Sequence, residues 1–344
     1  MKTTHLALAA GLAAATALTA APARASEDKP VIALSNAYYG NTWRHQMVEA
    51  FENAAKQAKA DGKIADYVVL NGDGSVNQQM SQMADLILKH VDAIVIDAAS
   101  ETALNGAVQK ACQAGIKVIA FDSILSAPCA FTLNFDFFNY QAQVTEEIAK
   151  RLKGHGNVIV VRGVKGSAPD HDMYEGQMSV LKKYPGLKVV ATVYGQATTS
   201  VAQAAVANVL PSLPHVDAVL AQGGGDDFGI AQAFAQYSRS YDGHMPIIDG
   251  GGSSNFIHWW IAEKAKNGYS TISLNTTPGI GGAAFWLGYD IVKGAKPKKD
   301  MIMPVARVTD ENLNDYSSLA PGLIVSPSYS EAWVEEHLIK ATGN

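Results

Sequence analysis

Several apolar runs in this sequence end on a residue able to exchange hydrogen bonds. Phe121 is followed by Asp122, Ile248 by Asp249 and Leu274 by Asn275, while Ala221 leads into Gln222, three glycines, Asp226 and Asp227. An ionised carboxylate accepts two hydroxyls through charge-assisted bonds, so acids gathered along one edge suit a polyhydroxylated ligand. A further cluster, Tyr38-Tyr39-Gly40-Asn41-Thr42-Trp43-Arg44, brings an aromatic plane, an amide and a guanidinium to the expected start of a helix. That set can stack on a ring and donate to its oxygens. Each piece has a plainer reading, since Asp often caps helices, Trp43 can pack beneath its helix and Arg44 can be solvated. Three or four acids converging on one edge favour the ligand reading.

Catalytic readings fail on context. The segment 72–77 (GDGSVN) lacks the last glycine of a dinucleotide fingerprint and follows the second strand, not the first. Neither a phosphate-binding G-x-x-x-x-G-K-[ST] nor a G-x-S-x-G nucleophile turn occurs. Asp170-His171-Asp172 lacks the spacing of a zinc or dimetal site, and Glu335-Glu336-His337 reads as the solvated face of a C-terminal helix. The pair Asp122 and Asp249 invites glycoside hydrolysis, but nothing in the sequence buries one of them to raise its pKa. The expectation is a binding protein, not an enzyme, with no cofactor and no metal; an exported carbohydrate-active enzyme is the remote alternative.

Positioning these residues requires regular elements, and the sequence supplies them. Apolar strands at 31–35, 66–71, 93–97, 117–121, 157–162, 187–194, 218–221, 246–249 and 270–274 alternate with amphipathic helical stretches, the pattern of βαβ units on parallel sheets. Met47, Phe51, Ala54, Ala55 and Ala58 recur at helical spacing before Asp61-Gly62 stops that helix. The series runs once to about residue 135 and starts again at Asn157, which implies two similar α/β lobes, each a doubly wound parallel sheet. Ligands of such sheets bind outside the carboxyl ends of the strands, where the polar residues stand.

The chain has 344 residues, 48% hydrophobic, with 27 basic and 32 acidic side chains, enough for two domains and without a basic footprint for nucleic acid. Lys2, an apolar run from Leu6 to Ala21 and Ala23-Arg24-Ala25 form a secretory signal peptide over residues 1–25. That run is 16 residues long and ends at Pro22, short of the roughly 20 apolar residues of a membrane span. The mature protein is therefore expected to be soluble outside the cytoplasm, and monomeric; the family likeness that follows implies the periplasm. An oxidising compartment permits Cys112 and Cys129, with 16 residues between them, to pair, the alternative being two separate thiols.

The same residues carry a family likeness. Residues 34–36 (LSN) with Gly40-Asn41-Thr42-Trp43-Arg44, then 114–122 (AGIKVIAFD), 163–166 (GVKG), 225–227 (GDD) and 248–250 (IDG) resemble, in order and spacing, the periplasmic sugar-binding proteins of the ribose-binding type. The resemblance covers residues 30–310. It implies the type I periplasmic binding protein fold and the role of ligand receptor for the membrane subunits of an ABC importer, with a sensory receptor as the alternative. It also implies ligand contacts from Asn41, Trp43, Arg44 and Asp122 in the first lobe and from Asp226, Asp249 and Asn275 in the second lobe or hinge. His171 stands where the family usually places an arginine and is expected as a further ligand contact from the second lobe, and an aromatic residue common near Thr198 is missing. With Asp122, Asp226 and Asp249 against Arg44 the expected pocket is net negative, which suits a neutral monosaccharide or sugar alcohol.

The expected division assigns 30–135 and 276–306 to the first lobe and 136–275 and 307–344 to the second. Hinge crossings are expected near 134–136, 274–276 and 305–308.

Overall fold

Strand and helix alternate as the apolar periodicity requires. The computed structural model describes residues 29–237, 241 and 244–340; the signal peptide expected at residues 1–25 lies outside them. The first lobe opens with β1 (Val31–Asn36), α1 (Thr42–Ala60), β2 (Asp66–Asn71), α2 (Val76–Leu88), β3 (Ala93–Asp97), α3 (Asn105–Gln113), β4 (Lys117–Phe121) and β5 (Phe131–Asn134). The second contains α4 (Phe137–Arg151), β6 (His155–Arg162), α5 (Ala168–Leu181), β7 (Gly186–Tyr194), α6 (Thr199–Val209), β8 (Ala218–Ala221), α7 (Asp226–Gln236), β9 (Ile247–Ile248) and α8 (Ser254–Asn267). After β10 (Ser273–Asn275) come α9 (Ile280–Val292), β11 (Asp300–Ile302), β12 (Ala306–Val308) and the short α10 (Glu331–Val334).

The first sheet has the order β11-β5-β4-β3-β1-β2 and the second β7-β6-β8-β9, with parallel pairings throughout. A parallel sheet covered by helices on both faces must be apolar on both faces of each strand. Accordingly Leu34, Val95, Ile119 and Phe121 pack with residues of α1 and α9. Their neighbours Ala33, Ile94, Ile96, Val118 and Ala120 pack on the other side with residues of α2 and α3. In the second sheet Val158, Val160 and Leu220 face one layer while Ile159, Val161 and Val219 face the other.

Two details differ from the expectation. The run at 270–274 does not add a strand to the second sheet. Only Ser273–Asn275 is extended, and it pairs antiparallel with β12 in a separate two-stranded ribbon, Ser273 opposite Val308 and Asn275 opposite Ala306. This ribbon and residues 135–136 carry the chain between lobes. The tail supplies a fourth crossing that was not expected. Ile324 bridges Ser253 at the start of α8 and exchanges two backbone bonds with the Gln46 side chain of α1, at 3.0 and 2.9 Å. Tyr329, Val334 and Leu338 then join the core beneath α1 and α9. Residues 329–338 thus pack on the first lobe although 307–344 are expected with the second, because the apolar side of this segment finds its partner there. Cys112 of α3 and Cys129, in the loop after β4, are joined by a disulfide with Cα atoms 6.4 Å apart.

Candidate functional site

The carboxyl ends of the strands in the two sheets face a cleft lined from both lobes. The first wall carries Asn41, Trp43, Arg44 and Asp122; Phe137 and Tyr140 of α4 and Thr276 border it at the hinge; the second wall carries Gly163, Val164, Ser167, Pro169, Asp170, Met173, Ala197, Gln222 and Gly224.

On the first wall, local structure sets each group. Asn41 is the N-cap of α1, its Oδ1 accepting from the Arg44 backbone N–H at 2.8 Å, so its amide nitrogen is the group it can offer a ligand. Trp43 donates its Nε1–H to the Thr276 carbonyl, 3.1 Å away on the hinge. With its donor spent there, it has only the ring face to give. Arg44, 8% exposed, forms ion pairs with Asp97 at the end of β3 and with Asp122 after β4, the latter at 3.3 Å. Burial pulls its guanidinium down from the ordinary value and Asp122 pushes it back. Burial likewise raises Asp122, against the pull of Arg44. Asp122 has φ 54°, in the left-handed region that few non-glycine residues adopt, and this turns the chain at the strand end. Asp97, fully buried, was missed among the strand-end acids because its run reads as a strand to the last residue.

The second wall is organised otherwise. Asp170 accepts both Nε and Nη2 of Arg162 at 2.9 and 2.8 Å, and Arg162 lies 4.2 Å from the Tyr174 ring and 5.2 Å from the Tyr194 ring. Gln222 Oε1 accepts from the Gly163 N–H at 2.7 Å and its Nε2 donates to the Asp170 carbonyl at 3.2 Å. These polar groups satisfy one another. What they leave facing the cleft includes the apolar surfaces of Met173, Pro169 and Val164, and Tyr140 donates its hydroxyl to Met173 Sδ at 2.8 Å.

Four expected contacts stand elsewhere. His171 is exposed on α5 and does not line the cleft, while its neighbour Asp170 does. Asp226 is buried at the start of α7, with Oδ1 accepting from the Thr198 N–H at 3.0 Å. Burial, then Asp227, pushes its carboxyl well above the ordinary range. Asp249 Oδ2 accepts from Gln141 Nε2 at 2.6 Å, tying the end of β9 to α4, and burial pushes this carboxyl well up too. Asn275 donates to the Val325 carbonyl at 3.0 Å and so pins the fourth crossing. None of these four side chains lines the cleft. Asp226 and Asp249 are claimed by donors behind the cleft, and the glycine segments next to them pack together there. A Cβ on Gly251 would collide with the backbone of Gly223, so the two loops lie against each other and present backbone N–H groups. Asp227 collects those of Gly251 at 2.8 Å and Ser253 at 3.2 Å. Phe137, Tyr140 and Met173 were missed because aromatic and thioether residues on a helix look like core in sequence.

The arrangement can sandwich a ring between an aromatic face and an apolar wall, with one charged cluster gripping its hydroxyls. Among the described residues no helix is long and apolar enough to cross a membrane. The periplasmic binding protein domain family matches residues 32–296. Among curated relatives, a xylitol-binding protein of Mycolicibacterium smegmatis is 27% identical over 275 residues, covering 78% of this chain and 75% of that one. The multiple sugar-binding periplasmic receptor ChvE of Rhizobium radiobacter is 30% identical over 272 residues, covering 71% and 73%. The crystal structure of an ABC transporter solute binding protein from Thermobispora bispora superimposes with TM-score 0.83 at 38% identity, covering 90% of this chain and 94% of that one. A cleft between two doubly wound lobes, multiple hinge crossings and a family match over most of the described chain place this protein in the periplasmic binding protein family.

Proposed function

We propose that the protein is an exported, monomeric receptor that captures a small neutral monosaccharide or sugar alcohol between its lobes and delivers it to the membrane subunits of an ABC importer. The observation that carries this reading is the charged first wall, where Arg44 stands between Asp97 and Asp122 beside the Trp43 face. Two carboxylates against one guanidinium leave this wall net negative, which disfavours sugar acids and phosphates and suits hydroxyls. A xylitol-binding relative and a multiple-sugar receptor point to the same ligand class. Neither wall alone completes a hydrogen-bonded enclosure, so ligand favours the closed state of the hinge, and the closed face is what an importer reads. Export follows from the leader-like residues 1–25.

Thermal unfolding and calorimetry against pentoses, pentitols, hexoses, inositol and the matching sugar acids test this. At least one neutral member is expected to raise the melting temperature and give saturable heat. A best response from an acid, or none from any neutral member, would remove the assignment.

A further inference from the structure

Away from the cleft, one group of acidic side chains among the described residues brings its oxygens together. Asp290 of α9 and Glu331 and Glu335 of the tail each offer a carboxylate oxygen, all within 4.8 Å of one another. Glu331 opens α10 and Glu335 opens the π-helical turn that follows, so the two stand four residues apart on one face, where like charges repel. Asp290 is 8% exposed, and among the described residues its buried Oδ2 has no hydrogen-bond donor. Lys63 and Lys340 are cations at the group. Lys63 pairs with Glu331 and lies 5.5 Å from the Trp286 ring and 6.0 Å from the Tyr289 ring. Lys340 lies 3.4 Å from Glu335 with its own side chain largely exposed. Neither donates to Asp290 Oδ2. A buried carboxylate oxygen in this position needs a proton or a metal.

We propose that Asp290, Glu331 and Glu335 form a site for a hard divalent cation of the calcium class, which clamps the C-terminal segment onto α9. An all-oxygen donor set suits calcium, magnesium or manganese and not zinc. Three oxygens 4.8 Å apart lie about 2.8 Å from the centre of their triangle, so a shift of a few tenths of an ångström in the partly exposed glutamates brings all of them to calcium's bond length of about 2.3–2.6 Å. Both glutamates are partly exposed, so water can complete the shell.

The test uses the full mature chain without sugar at pH 8, after EDTA treatment, titrated with CaCl2, MgCl2 and ZnCl2 by calorimetry and thermal unfolding. Calcium or magnesium is expected to bind saturably and to raise the melting temperature by several degrees, reversibly with EDTA. Binding should weaken at least tenfold in Asp290→Asn and in Glu335→Gln, the second a partly exposed position where the substitution leaves folding intact. The proposal is overturned if neither calcium nor magnesium binds the wild-type protein, if both variants respond as the wild type does, or if zinc alone binds. Stability that responds only to pH and not to cations would give the role to a proton and overturn it equally. Sugar affinity is no part of these readouts, so failure here leaves the cleft reading untouched.

Discussion

The two walls of the cleft are built from the same units, strand ends followed by helix starts, yet they use their carboxylates in opposite ways. On the first wall Asp97 and Asp122 are paired with a guanidinium beside the open space. On the second, Asp170 is spent on both nitrogens of Arg162, and behind the wall Asp226, Asp227 and Asp249 turn into the scaffold and are held by Thr198, Ser253 and Gln141. In the second lobe each acid is claimed from behind the cleft, Asp226 by the Thr198 N–H, Asp249 by the Gln141 amide and Asp227 by the Gly251 and Ser253 N–H groups. In the proposed site the first wall therefore grips by charge, and the second covers.

The largest effect that should separate the walls is on stability. Asp227→Ala removes the acceptor for three backbone N–H groups, those of Phe228, Gly251 and Ser253, and for the buried Ser253 hydroxyl, and should cost about 3 kcal/mol or more. Denaturant unfolding measures it, and a loss below about 1 kcal/mol would mean that the glycine loops do not depend on this carboxylate. The next concerns the disulfide, which staples the loop following Asp122 in the first lobe. Reduction should lower stability by about 3 kcal/mol in the chain-entropy view. Mass spectrometry of unreduced protein should find no free thiol, and finding two would discard the staple.

For ligand affinity, Asp122→Ala should weaken binding of the identified sugar by about 2 kcal/mol, roughly thirtyfold. The protein should still fold, because Arg44 keeps Asp97 as a partner. Asp249→Ala should instead show mainly as a loss of stability, since its partner Gln141 belongs to the scaffold and also donates to the Ala221 carbonyl. Equal losses of affinity in the two variants, measured by calorimetry, would erase the contrast between the walls.

The asymmetry also explains what could be read in the sequence. Strands buried on both faces, such as β3 and β4, declare themselves as continuous apolar runs, and helix α1 declares itself by its spacing. The strands β5, β11 and β12 have only three or four residues each. Such pieces show no period of their own, and partners far away in the chain make them strands. In the site, Asn41, Trp43 and Arg44 were legible because a cap and the first turn of a helix fix their place locally. Whether Asp226 or Asp249 faces ligand depends on how two distant glycine segments pack, and Asn275 on a tail that returns fifty residues later. His171 shows the limit of positional analogy. One step along α5 separates the exposed His171 from the buried Asp170 that lines the cleft.

The smallest expected effect comes from acidification, and it should carry opposite signs for the two functions. Asp226 and Asp249 are raised well above the ordinary carboxylate value by burial. As pH falls from neutrality the folded protein therefore takes up protons that the unfolded chain, with carboxyls near about 3.9, does not yet bind. Linkage then makes the folded state more stable as pH falls, until the unfolded carboxyls protonate as well and the gain levels off. Asp122 is also raised by burial, against Arg44, but it differs in what its charge does. In the proposed site its ionised form accepts the ligand hydroxyls, and a protonated carboxyl accepts them less strongly. Sugar affinity should thus decline over the same range in which the melting temperature of the ligand-free protein rises. Calorimetry and thermal unfolding between pH 8 and pH 4.5 measure both, with Asp122→Asn as the control whose weak binding should no longer vary with pH. Affinity and stability falling together would show that the carboxylates of both walls act as one electrostatic unit, and the division into a gripping wall and a covering wall would have to be given up.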